Sequence, residues 1–309
     1  MPLRPLLLLL LVSAVSASAN ATSFEAGVGC NGPFHSNPGP GPVSDSCNPP
    51  DGVAPRIGPA GTGEFTSIAN SGVGPGGFSL NTVTTLDTHG ATSGVETISS
   101  QAFGEWRFDD FVVTGTGSQS TPVLAAMNLW ISGSLGGTES SDNEGPLTGL
   151  SSGGGGFHFD IWLNGAHAGG GNWTWNLSNG TVAENIEGML IGHYGGSGSL
   201  ADTVTSNQLM LPVGQVFDVR VLVNASSRAQ VFIGGTPEDE FDTVHASAGG
   251  YSSFGSTVRF PFDRPVFDLP PGYTVNSVSA GVIDNQVVPE PGTGALFALG
   301  ILGFALRRR

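Results

Sequence analysis

Between residues 123 and 135 every second position is apolar or glycine: Val123, Ala125, Met127, Leu129, Ile131, Gly133 and Leu135, with mostly small or polar residues between them. A side-chain period of two puts those residues on one face of an extended chain, the pattern of a β-strand with one side against a core. The alternation returns at Phe157, Phe159, Ile161 and Leu163, and again at Phe217, Val219, Val221 and Val223. The same reasoning predicts strands at 77–86, 106–114, 181–191, 229–233, 257–262 and 273–283. The stretches GTGSQS, GGTESSDNEGP, LSSGGGG, YGGSGS and LPPG read as turns between them. No amphipathic helix of useful length occurs outside the termini, and no strict repeat suggests a propeller or solenoid. The expectation is an all-β chain, with a single jelly-roll-like β-sandwich over 61–285.

The ends carry different signals. Arg4, the apolar stretch from Leu6 to Val12 and the small residues 13–19 have the layout of a secretory signal peptide over 1–21, with cleavage after Ala19 or Ala21. Its apolar core is too short to span a bilayer. A Gly/Pro-rich segment follows over 22–60 and holds both cysteines of the chain. In an exported protein Cys30 and Cys47 read as one disulfide closing a loop, worth about 3 kcal/mol on the chain-entropy model. A metal site with His35 is the poorer reading, because two thiols do not complete a tetrahedral shell.

The chain has 49 glycines, 21 prolines and no lysine. Setting aside Arg4 and the residues from 288 onward leaves 6 basic against 24 acidic residues, a net charge of −18. Such a surface repels nucleic acid and anionic lipid, which excludes binding to a phosphate backbone. It is compatible with calcium or with neutral sugars.

At the C-terminus, residues 286–309 form a tail: Val288, Pro289, Glu290 and Pro291, then an uncharged, proline-free stretch over 294–306, then Arg307, Arg308 and Arg309. The prolines hold Glu290 in an extended segment. The apolar stretch would make a helix of about 20 Å against a hydrocarbon core of about 30 Å. It is a short transmembrane helix whose arginines stay cytoplasmic, leaving the Pro-Glu-Pro segment outside. This order resembles the PEP-CTERM sorting signal of Gram-negative bacteria, also labelled the ice-binding protein C-terminal domain. The resemblance implies recognition at Val288–Pro291 and processing by a membrane protease-transpeptidase, the exosortase, in cells that make extracellular polysaccharide. The secretory translocon is the other implied partner. The ice-binding label carries no evidence of ice affinity.

Motifs for catalysis fail on context. Gly149-Leu150-Ser151-Ser152-Gly153 fits G-x-S-x-G but sits in a Gly/Ser run that reads as a loop, with no following helix. The two G-x-G-x-x-G matches, at 27–32 and 72–77, read as turns, since neither opens a helix. Asp109 and Asp110 could ligate a structural calcium ion, against the plainer reading of a solvated strand end beside a bulge. The six histidines are scattered, and no catalytic residue, metal site or cofactor is expected. One face invites a ligand. With Phe157, Phe159, Ile161 and Leu163 turned inward, His158, Asp160, Trp162 and Asn164 share the other side. An indole among hydrogen-bonding groups suits a sugar, and Trp173 and Trp175 could extend it. The competing reading covers that side with another layer and buries Trp162. The sequence therefore points to a non-catalytic, exported protein of the cell envelope or extracellular (biofilm) matrix. The alternative is a lectin-like, carbohydrate-binding module acting in the exopolysaccharide.

Overall fold

The computed structural model describes residues 23–30, 35–38, 41–47, 62–74, 77–91, 94–115, 121–142, 148–178, 180–190, 198–234 and 244–288; before Ser71, and at a few strand ends, it describes the backbone alone. The segment read as a signal peptide, the side chains of Cys30 and Cys47 with the disulfide expected of them, and the tail from Pro289 through Arg307, Arg308 and Arg309 lie outside the described residues.

Among the described residues there is no helix, and eighteen strands follow in order. The first six are β1 (Ser23–Cys30), β2 (His35–Pro38), β3 (Gly41–Cys47), β4 (Thr62–Gly74), β5 (Gly77–Ala91) and β6 (Gly94–Gly115). Then come β7 (Val123–Asp142), β8 (Thr148–Leu163), β9 (Ala166–Ser178), β10 (Thr181–Gly188), β11 (Ser199–Thr205) and β12 (Leu209–Leu211). The last are β13 (Val216–Gly234), β14 (Val244–Arg259), β15 (Phe267–Asp268), β16 (Tyr273–Asn276), β17 (Val282–Ile283) and β18 (Gln286–Val287).

Two eight-stranded antiparallel sheets result. The first has the order β10-β9-β8-β13-β6-β1-β2, with β16 also on β6. The second has the order β11-β7-β14-β5-β4-β3, with β12 and β15 on β7. From β5 to β14 the principal strands alternate between sheets except at the β8–β9 hairpin: β5, β7, β11 and β14 lie in one, and β6, β8, β9 and β13 in the other. The late strands β13 and β14 wedge between the early ones, giving the orders β6-β13-β8-β9 and β5-β14-β7-β11. That winding is a jelly roll. The segment 22–60, in which the sequence suggests no strand, supplies β1 to β3: β1 pairs along β6 and β3 along β4.

The core lies between the sheets, where the period-two pattern puts it. Val123, Ala125, Met127, Leu129, Ile131 and Leu135 of β7 are buried, as are Phe157, Phe159, Ile161 and Leu163 of β8. Phe217, Val219, Val221 and Val223 complete this face from β13, a single strand where two are expected. Trp106 packs with Phe78 at 4.2 Å and Phe260 at 5.5 Å, and Phe157 stacks on Phe254 at 3.9 Å.

The expected loop at 149–156 is instead the first half of β8, and its glycines are the reason. Facing sheets ordinarily stand about 10 Å apart. Here β8 and β14 approach backbone to backbone. A Cβ added to Gly153 would lie 1.7 Å from the carbonyl oxygen of Gly249, and one on Gly155 would lie 2.1 Å from that of Tyr251. Only glycine fits such a seam. Beside it, the hydroxyls of Thr84, Ser100 and Ser227 form a buried triangle with sides of 2.7, 2.8 and 3.1 Å. Beyond lies a smaller core of Leu86, Ile98, Ala229, Val231, Ile233, Ala246 and Ala248. The glycine motif at 27–32 also differs from expectation, since Gly27 to Cys30 lie within β1.

Candidate functional site

The side of β8 away from the core is half-exposed, and among the described residues no strand packs on it. Three of the four expected ligand-facing residues lie there. Asp160 bridges two imidazoles, with Nε2 of His158 at 2.7 Å and Nε2 of His167 at 2.9 Å. Trp162 is half-buried, its indole 5.4 Å from the His167 ring and covered on one side by the Arg220 guanidinium at 4.7 Å. Arg220 donates two 2.9 Å hydrogen bonds to Glu105, and these raise its pKa above the usual arginine value. The pair fixes the guanidinium over the ring in a bidentate, charge-assisted geometry.

Asn164 does not join this face. It and Gly165 have φ of 52° and 75° and form the two-residue turn between β8 and β9, the Asn-Gly chemistry of a type I′ hairpin. Trp173 and Trp175 are also misplaced by the sequence. Trp173 is directly opposite Phe157 in the register and therefore turns inward, fully buried, with Nε1 donating to Glu184 at 2.7 Å. Trp175 follows on the same side, partly buried against the core. His167 and Arg220, which complete the Trp162 surroundings, come from neighbouring strands and become visible only through the pairings Trp162↔His167 and Trp162↔Arg220.

Toward the start of β8 the same face sinks where Gly154 presents no side chain. Ser152, Asn176, Ser178, Arg228 and Gln230 line a hollow of about 200 Å³ there. A wider, open depression of about 570 Å³ contains Glu139, Ser140, Gly149 and Ser151. Ser151 lies on a strand, its Oγ donating to the Ser140 carbonyl at 3.4 Å, and the described residues that line the depression include no histidine. Among the described residues no cluster of three or more His, Cys, Asp or Glu side chains is placed to hold a metal ion.

Asp109 and Asp110 stand inside β6 rather than at a strand end. Both oppose Asp218 alone, where the register shifts between Phe217 and Val219, so the bulge is present. Asp110 accepts hydrogen bonds from the hydroxyls of Ser277 and Ser279 and from the Ser279 backbone at 2.8 Å. Burial works against its ionisation, but these donors outweigh it and hold the carboxyl below its ordinary pKa. The clamp ties the last described segment to β6.

That segment runs further than expected. Instead of the sandwich ending at Asn285, β17 and β18 pair through a turn in which Asp284 and Asn285 have φ of 50° and 65°. The Val288 N–H then donates to the Gly281 carbonyl at 2.8 Å. The hairpin is hydrogen-bonded up to the residue before Pro289. Comparison with family models matches residues 287–309 to one family, the PEP-CTERM protein-sorting motif. The chain carries a PEP-CTERM sorting motif. No curated protein and no solved structure matches the chain. The PEP-CTERM match begins at Val287, so its first residues are part of the folded hairpin while Pro289, Glu290 and Pro291 follow directly. A PEP-CTERM motif implies export and membrane-associated sorting, with processing by exosortase, a membrane protein.

Proposed function

We propose that this protein is a non-catalytic jelly-roll domain delivered to the cell envelope or extracellular matrix, its tail removed by exosortase on the way. The observation that carries the reading is the sorting motif at 287–309, placed directly behind a folded β domain. The acidic body, and the placement of Ser151 within a strand rather than at a strand-to-helix turn, support a role without catalysis. Mass spectrometry of the mature C-terminus tests it. In cells with exosortase the chain should lack Arg307, Arg308 and Arg309; a mature form that keeps them would make the tail a plain membrane anchor.

A second reading, a carbohydrate-binding module acting in the exopolysaccharide, is favoured by the outer face of β8, where Trp162, His158, Asp160 and the hollow at Gly154 lie in one line. An indole edged by hydrogen-bonding groups is the chemistry that holds a sugar ring. The expected result is that the parent chain is retarded on a column of the producing organism's polysaccharide and that Trp162→Ala is not, with unchanged melting temperature. Equal elution of the two would remove this reading.

A further inference from the structure

We infer that the outward side of the C-terminal hairpin is a docking surface for the protease that processes the tail, and that it meets an uncharged, apolar patch on that enzyme. The inference rests on the sorting reading above. In the hairpin, Val282 is buried and Val287 packs against the core, so the alternate positions face solvent. Those positions are Ile283 and Val288, 56% and 44% exposed, with Gly281 opposite Val288 and the exposed, uncharged Gln286 opposite Ile283. Val278, 70% exposed, joins them through the Gly281 N–H bond to its carbonyl at 3.2 Å. Single exposed apolar residues are ordinary, but Val278, Ile283 and Val288 concentrate apolar surface on the C-terminal hairpin and the turn that leads into it. Nothing in the fold requires them, since none reaches the core.

Their position next to the motif determines what meets them. Val288 is hydrogen-bonded in place, and Glu290 is two residues further, at most about 7 Å of extended chain. An enzyme that closes on Glu290 must therefore lie against Val288 and its neighbours. The bilayer is the other apolar surface nearby and fits less well. Asp284 is exposed at the hairpin tip, Glu290 follows, and the body is strongly acidic, all unfavourable at an anionic membrane surface.

The experiment measures tail removal from the full chain by exosortase, in membranes and in detergent, for the parent and for the double variant Val278→Ser/Ile283→Ser. Removal by the variant should be about tenfold slower in both media, the loss expected when two partly buried apolar contacts disappear, with an unchanged melting temperature. A Gly-Ser spacer inserted between Val288 and Pro289 should slow the parent equally and abolish the effect of the serines. Equal rates for parent and variant overturn the inference, as does faster removal with the spacer, which would make the hairpin an obstacle. An effect seen in membranes and lost in detergent assigns the patch to the bilayer and overturns it too. A parent chain that keeps its tail in the presence of exosortase overturns the sorting reading itself, a different failure.

Discussion

Asp110 shows how one side chain can hold a whole segment. Its oxygens take two hydroxyls and one backbone N–H from 277–279, the turn from which the C-terminal hairpin continues. Asp110→Ala should cost about 2 kcal/mol in urea unfolding at pH 7, the usual range for hydrogen bonds to a charged group. Because the folded pKa lies below the unfolded value, the unfolded chain takes up the proton more readily as acid is added. The carboxylate's contribution is thus complete above about pH 4 and lost as pH falls through the folded pKa. The stability gap between parent and variant should close on acidification; a gap that stays constant to about pH 2 would show that the ionised form is not what matters. The candidate site was partly legible at this scale. Period two correctly sends His158, Asp160 and Trp162 away from Phe157 and Phe159, because both faces of one strand follow from its own residues. It fails for Asn164, where the left-handed turn chemistry of Asn-Gly overrides the alternation. It also fails for Trp173, whose side is set by register with a neighbour and not by spacing to Trp175.

The element that most departs from its sequence pattern is β8. Residues 153–156 are four consecutive glycines, poor strand formers that normally mark a turn. At Gly153 and Gly155 β14 passes too close for any side chain, a constraint that exists only once both sheets are assembled, while Gly154 and Gly156 face Asn176 and Ser226 on the other side. The contrast between two glycines tests this account. Gly153→Ala drives a methyl into the Gly249 carbonyl and should cost about 3 kcal/mol or more, because both backbones must part. Gly165→Ala meets nothing within 4 Å and carries only the left-handed penalty of about 1 kcal/mol. Chemical denaturation of both variants compares them, and equal losses would contradict the seam. The strand β1 is the opposite case. Phe24, Ala26, Val28 and Cys30 do alternate, but the Gly/Pro composition of 22–60 outweighs so short a run. In β4, by contrast, Ile68, Ala69, Asn70 and Ser71 break the alternation and leave little to read.

For the molecule as a whole, the all-β class follows from local pattern, whereas the jelly-roll winding depends on pairings between distant strands. The first strand lies along β6 and β16 lies on the same strand's far end, joining residues near 23 and near 273 to one element. A chain lacking 22–60 should consequently free the edges of β4 and β6, melt at a lower temperature and associate through the open strands. Light scattering with thermal unfolding would show it; a monomer that melts like the parent would mean β1 to β3 are dispensable. The hairpin that closes at Val288 has a mechanical consequence. Five residues separate it from the apolar stretch at Gly294, at most about 17 Å of chain, less than the width of a small domain. On the sorting route proposed above, a tail held in the membrane keeps the jelly roll within that length of chain of the bilayer. On that route the domain can tilt but cannot reach, so before its release it samples only a thin layer against the cell surface.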